Sequence, residues 1–195
     1  MFTGIVETTA MVEAVERGDG RVTYRIAHPT GDLVVGDSVA IDGVCLTAVR
    51  VATDTFDVEV VPETEARTTL GGLTVGSVVN IERPMAASGR FDGHIVQGHV
   101  DGVATVRSIV ADGDSQRVFF DVPAPLLRYV VEKGSVAVDG VSLTVSAVDD
   151  GGFEVALIPH TLEVTALGQR EVGDGVNLEI DVLAKYVDRL LEGHR

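Results

Sequence analysis

Tryptophan is absent from this chain of 195 residues, cysteine occurs once, at Cys45, and lysine twice, at Lys133 and Lys185. A lone thiol cannot close an internal disulfide, which agrees with a reducing compartment and leaves the thiol free for chemistry. With two lysines and scattered arginines there is no polybasic stretch for an anionic membrane. The formal charge of −15 and a pI near 4.5 repel phosphate backbones, so nucleic acid is not expected as a partner. The opening MFTGIVETTA lacks the basic start and apolar centre of a targeting signal, and no apolar run approaches membrane-spanning length. A cytoplasmic location is expected. Also missing are a Walker-type loop, a dinucleotide fingerprint, a CxxC pair and HExxH. No metal and no cofactor are therefore expected.

What the chain has is a long internal repeat. SVAIDGVCLT from Ser38 returns as SVAVDGVSLT from Ser135, and the same shift carries Phe56 onto Phe153, Pro62 onto Pro159, Asn80 onto Asn177 and Glu82 onto Glu179. Roughly 21 of 45 consecutive positions are identical, which marks a duplicated domain. With a small adjustment GIVETTAMV from Gly4 aligns with GHVDGVATV from Gly98. Each half, at about 90 residues, is large enough for its own core.

Segments such as VTYRIA, FDVEVV, VVNIER, VFFDV, FEVALIP and VNLEIDV alternate in polarity and are punctuated by Gly, Asp and Asn. The pattern predicts an all-β protein of two tandem, six-stranded Greek-key β-barrels, since closure removes exposed strand edges. Domain limits are expected at 1–89, 90–183 and 184–195. Short helical turns are expected at ETEARTTL and over PLLRYVVEKG, from Pro125 to a stop at Gly134. The tail DVLAKYVDRLLEGHR places Leu183, Tyr186, Val187, Leu190 and Leu191 on one helical stripe, a face for the barrel or for copies of itself.

Polar residues in the repeat are the candidates for chemistry. Asp42-Gly43 and Asp139-Gly140 read as tight hairpin turns. Beyond them Cys45 and Thr47, and in the second copy Ser142 and Thr144, face one side of their strands. On a solvent face they are ordinary strand residues; on a cavity they form a polar rail for a planar heterocycle. His94 and His99 point opposite ways on a straight strand, against a shared metal. His99 stands where the first copy has Ile5, an ionisable group at one of two equivalent positions and poised for acid-base work. A satisfied structural histidine fits the same spacing. His160, in place of Glu63, reads as a surface difference.

Taken together, MFTGIVE, DGVCLT, PETEARTTL, GHIVQGHVDG, KGSVAVDGVSLTV, IPHT and VNLEIDVLAKYV resemble the riboflavin synthase alpha-chain family over the whole length. The resemblance implies a homotrimer of two-barrel subunits held partly by the C-terminal helices, each active site lying between the N-terminal barrel of one subunit and the C-terminal barrel of the next. It implies a cofactor-free dismutation of two 6,7-dimethyl-8-ribityllumazine molecules into riboflavin and 5-amino-6-ribitylaminopyrimidinedione. Lumazine and riboflavin are the implied ligands, and association with lumazine synthase is a further expectation. Carried onto this chain, the C-terminal pocket uses Ser142 and Thr144 with Ile158 and Thr161. The N-terminal pocket uses Ser38, Cys45, Thr47 and Thr64, with Thr3 and Val6 at the interface. His99 lies near the reacting methyl, His94 supports it, and Asp181 is the acidic residue; Cys45, a hydroxyl such as that of Ser142, and water remain candidate nucleophiles. Asp92 precedes Gly93 where many relatives have two glycines, which reads as a turn. Noncatalytic lumazine-binding antenna proteins are the rival within the fold. A flavin-carrying reductase barrel would show an Arg-x-Tyr-Ser signature, which the chain lacks.

Overall fold

In β2 (Arg21–Ala27), Val22, Tyr24 and Ile26 are buried while the residues between them are partly or fully exposed, the alternation of a strand with one face on a core. The same alternation runs through Val44–Ala48 and Val141–Val145, whereas Val39–Ile41, Val79–Glu82 and Val176–Ile180 are buried on both faces. The computed structural model describes residues 1–18, 20–27 and 32–192. The first copy comprises β1 (Thr8–Gly18), β2, β3 (Ser38–Ile41), β4 (Val44–Val51), β5 (Thr55–Val60) and β6 (Val78–Glu82). They close antiparallel in the Greek-key order β1-β2-β5-β4-β3-β6. The second copy comprises β7 (Gly102–Asp112), β8 (Ser115–Asp121), β9 (Ser135–Val138), β10 (Val141–Val148), β11 (Gly152–Leu157) and β12 (Gly175–Ile180), which close in the same circuit. Bulges recur at matched places, between Val12 and Ala14 and between Val106 and Ser108, then between Ala48 and Arg50 and between Val145 and Ala147. They supply the curvature that closure requires. Phe56 and Phe153 fill equivalent places in the two cores.

Each copy carries a short helix and a 3₁₀ turn before its last strand: α1 (Pro62–Arg67) with Thr69–Gly72, and α3 (Pro159–Val164) with Ala166–Gln169. Between them α2 spans only Ala124–Leu127, shorter than the helix expected as far as Gly134. At its far end the sheet claims a donor and an acceptor that such a helix would use. Lys133 N–H bonds Val145 O at 2.9 Å, Gly134 O accepts from Val145 N–H at 3.0 Å, and Lys133 adopts a left-handed φ of 65°. The terminal helix α4 covers Val182–Glu192; the Asp181 carboxylate accepts from Leu183 N–H at 2.9 Å at its start. The expected helix ran to residue 195, and its last three residues lie outside the described residues. Lys185 bonds Asp101 at 2.7 Å and Arg128 pairs with Asp188, tying α4 to the second barrel.

The two Asp-Gly turns do more than close hairpins. Asp42 and Asp139 have φ of 43° and 45°, followed by Gly43 at 75° and Gly140 at 78°, and the turns stack on one another. A Cβ on Gly43 would fall 2.6 Å from the Gly140 nitrogen, so only glycine permits the contact. Reciprocal bonds surround it. Asn80 Nδ2 donates to Asp139 O and Asn177 Nδ2 to Asp42 O, both at 2.8 Å, while Ala166 N–H and Thr69 N–H donate to the two carboxamide oxygens. Asp42 Oδ1 and Asp139 Oδ1 each accept a backbone N–H, from Asn80 and Asn177, at 2.7 Å. The barrels are thus related by a local two-fold through this junction.

Arg170 breaks the symmetry, because its counterpart in the first copy is Leu73. Its guanidinium donates to Asp139 Oδ2 at 3.0 and 2.7 Å and stands 3.6 Å from Asp42 Oδ2, which has no hydrogen-bond partner among the described residues. Burial and then the adjacent Asp139 push the Asp42 carboxyl well above its ordinary range, against Arg170. Burial also raises Asp139. A carboxyl raised on folding contributes stability below its unfolded pKa and loses that contribution as pH rises through the folded value. Asp42→Asn, which retains an acceptor for Asn80, should therefore raise the melting temperature at pH 7, and the gain should vanish below about pH 4. Asp139→Asn should instead cost about 2–3 kcal/mol by unpairing Arg170. Scanning calorimetry at both pH values checks this; an Asp42→Asn protein that melts below the parent at pH 7 contradicts it.

Candidate functional site

Two segments outside the barrel strands cross between the halves. Phe2 and Val96 form an antiparallel bridge, with N–H···O distances of 2.8 and 3.2 Å, and both are fully buried against Ala40 and Ala137. From this bridge Gly4 runs to the second barrel, where its carbonyl accepts from Ser142 N–H at 2.7 Å. Gly98 runs to the first barrel, where its carbonyl accepts from Cys45 N–H at 2.9 Å. A Cβ on Gly4 would lie 2.6 Å from that of Ser142, and one on Gly98 2.5 Å from that of Cys45. The segments touch the strands directly, which requires glycine at both places. Val6 packs against the second barrel's core and Val100 against the first.

This exchange redistributes the expected groups. Val6, expected at the interface of the N-terminal pocket, lies on the C-terminal barrel. Thr3 stays with the first barrel, donating from N–H and Oγ1 to Glu82 Oε1 at 2.7 and 3.0 Å, and shares with Ser38, Ile5 and Asp92 the wall of a cavity of about 560 Å³. Cys45 and Thr47 alternate with buried Leu46 and Ala48, and Ser142 and Thr144 with buried Leu143 and Val145. Both polar pairs therefore face outward from their barrels, and any ring they hold lies on the outer wall. Ser38 pairs across the sheet with Thr47. Thr64 and Thr161, half-buried in α1 and α3, accept through their carbonyls from Thr68 Oγ1 at 2.6 Å and Thr165 Oγ1 at 2.7 Å. Ile158, just before α3, is 55% exposed.

The C-terminal face has a protic cluster with no equivalent among the described residues of the first copy. His94 is 8% exposed; its N–H donates to Thr3 O at 3.1 Å, and its Nδ1 shares a 2.7 Å hydrogen bond with Ser142 Oγ. Its Nε2 is buried and has no hydrogen-bond partner among the described residues. Burial lowers the His94 pKa, while the negative charge of Asp181 works against that shift. A neutral imidazole at neutral pH, with one nitrogen on a hydroxyl and the other unspent, is equipped to accept or relay a proton. His94, expected only as a support, thus makes the contact with Ser142. His99 is exposed, and its N–H donates to Glu179 Oε2 at 3.0 Å beside the Cys45 strand. Among the described residues no three of His, Cys, Asp or Glu gather in a metal-holding group, and no helix is long and apolar enough to cross a membrane.

Glu82 and Glu179 were not singled out by sequence reasoning, although they occupy one repeated position. They are 5% and 4% exposed, and burial raises both carboxyls against the backbone N–H groups they accept. An acidic residue retained in both copies at the end of a VNxE strand was the available signal.

Two barrels of one circuit, each presenting a hydroxyl- or thiol-bearing outer strand covered by a glycine of the crossing segment, define a duplicated-barrel protein with two related outer faces. The family described as lumazine binding domain matches residues 3–84 and again residues 97–181. Among solved structures, the chain is similar to LumP complexed with 6,7-dimethyl-8-(1′-D-ribityl)lumazine (TM-score 0.84, 25% identity, 92% of this chain and 99% of that one). It is likewise similar to LumP complexed with riboflavin (TM-score 0.86, 26% identity, the same coverage). Full-length similarity is higher to enzymes: riboflavin synthase of Mycobacterium tuberculosis is 49% identical over 197 residues, covering 98% of each chain. Riboflavin synthase of Actinobacillus pleuropneumoniae is 42% identical over 193 residues (98% of this chain, 90% of the relative). That of Schizosaccharomyces pombe is 39% identical over 198 residues (100% and 95%). The chain belongs to the riboflavin synthase family, and it is an enzyme, a transferase.

The His94 environment yields a direct check. Its imidazole should titrate below pH 6.5 by NMR, and Asp181→Asn, by removing the opposing charge, should move the midpoint lower still. A midpoint that rises or stays in place contradicts the electrostatic link between them.

Proposed function

We propose that this chain catalyses the dismutation of two molecules of 6,7-dimethyl-8-ribityllumazine, one giving a four-carbon unit to the other to yield riboflavin and 5-amino-6-ribitylaminopyrimidinedione. The observation that carries the reading is the pair of diverged half-sites, Cys45 against Gly98 and Ser142 against Gly4, related by the local two-fold. One substrate used twice in unlike roles needs two similar but unequal pockets. The N-terminal half-site holds one ring with Ser38, Cys45, Thr47 and Thr64; the C-terminal half-site holds the other with Ser142, Thr144, Ile158 and Thr161. Thr3 and Val6 border them. The ring is its own electron sink, so the protein's part is to align the two rings, exclude water and move protons. The His94–Ser142 pair is placed to move a proton on one side, with the charge of Asp181 favouring the protonated imidazole, and on the other side His99 follows the glycine that meets Cys45.

Both faces open outward on one chain, with Thr47 and Thr144 exposed, which supports pockets that meet between subunits. Leu183, Tyr186, Val187, Leu190 and Leu191 of α4 are each more than half exposed, which supports self-association through that helix. The assembly proposed is a cytoplasmic homotrimer in which the N-terminal face of one copy meets the C-terminal face of the next. Incubation of the purified chain, without added cofactor, with 6,7-dimethyl-8-ribityllumazine should form one riboflavin and one pyrimidinedione for every two substrates, followed by chromatography. Tight binding with no product would instead make it a ligand carrier.

A further inference from the structure

The crossing segments have backbone donors that no strand satisfies, and each finds one buried carboxylate. Glu82, at the end of β6, accepts Thr3 N–H at 2.7 Å and Thr3 Oγ1–H at 3.0 Å on Oε1, and Gly4 N–H at 3.1 Å on Oε2. Glu179, at the matching place in β12, accepts Gln97 N–H at 2.7 Å on Oε1, and Gly98 and His99 N–H at 2.9 and 3.0 Å on Oε2. Both side chains are almost wholly buried and every partner is a donor, so the ionised carboxylate is the form these pockets fit. The residues they hold are not the ones on their own barrels. Gly4, held by Glu82 of the first barrel, bonds Ser142 of the second; Gly98, held by Glu179 of the second, bonds Cys45 of the first.

We infer that Glu82 and Glu179 are cross-wired positioning residues: each barrel's buried carboxylate sets the geometry of the other barrel's half-site. This rests on the reading of the Cys45 and Ser142 faces as ligand half-sites. The carboxylates lie behind the crossing segments and act through backbone. Glu82 fixes Thr3, whose carbonyl accepts from His94 N–H, so the same clamp also sets the imidazole that reaches Ser142. Glu179 also holds His99 through its own N–H, next to the glycine that meets Cys45, so the second clamp sets the backbone from which that imidazole projects. A network in which both oxygens of a buried carboxylate are occupied holds its partners to a narrow geometry, as a site aligning two rings requires.

The Cys45 and Ser142 amides are internal reporters, because each donates to the glycine of one crossing segment. Glu82→Gln turns one acceptor into a donor facing an N–H. It should speed hydrogen exchange of the Ser142 amide by about tenfold while leaving Cys45 unchanged, and Glu179→Gln should do the reverse. In the full-length parent, riboflavin should slow exchange at both amides; in Glu82→Gln that protection should survive only at Cys45, and in Glu179→Gln only at Ser142. If a Gln variant does not fold, Glu82→Asp and Glu179→Asp keep the charge, draw the oxygens back by one methylene, and should show the same crossed pattern. Faster exchange in the variant's own barrel, at both amides equally, or at neither, overturns the inference. If riboflavin protects neither amide in the parent, the half-site reading fails, and the exchange pattern without ligand still decides whether the clamps are crossed.

Discussion

The structure depends on a reciprocal junction in which neither barrel satisfies all of its own polar groups. Asn80 bonds the Asp139 carbonyl and Asn177 the Asp42 carbonyl, while two stacked Asp-Gly turns leave no room for a side chain between them. An unpaired buried carboxamide or carbonyl costs on the order of 1–3 kcal/mol, so each half needs the other to balance its hydrogen bonds. The Phe2–Val96 bridge and the crossing segments follow from the same two-fold. Once it is set, Gly4 must meet Ser142 and Gly98 must meet Cys45.

The proposed function rests on divergence within that symmetry. Cys45 corresponds to Ser142 and Ile5 to His99, and the His94–Ser142 pair under the charge of Asp181 has no counterpart among the described residues of the first copy, where Pro84 stands at the position equivalent to Asp181. Burial holds the His94 imidazole toward its neutral form, the state in which a ring can take a proton. Arg170 adds a second asymmetry at the junction, neutralising Asp139 directly and Asp42 only at longer range. The frame is therefore nearly symmetric, while the groups able to move protons are not.

Much of the fold was legible in the residues. The repeat, the period-two runs and the turn glycines locate the twelve strands described, because local alternation and turn chemistry decide them. The extent of α2 was not, since Lys133 and Gly134 at its expected end pair with Val145 of β10 instead. At the site, residue types were legible and groupings were not. Val6 could not be assigned to the opposite barrel, nor His94 to Ser142, because both depend on where the Thr3-Gly4 backbone crosses the two-fold. Glu82 and Glu179 read as ordinary strand ends until their carboxylates are seen to hold backbone from elsewhere.

In the proposed assembly the two diverged faces of one chain complete each other between copies. Thr47→Phe and Thr144→Phe place a bulky ring on the exposed N-terminal and C-terminal faces without entering either core, and each variant alone should lose turnover. Co-refolding the two together and assaying riboflavin formation tests the claim most directly. Recovery of activity that neither variant has alone is the result predicted; a mixture as inactive as its components would contradict it.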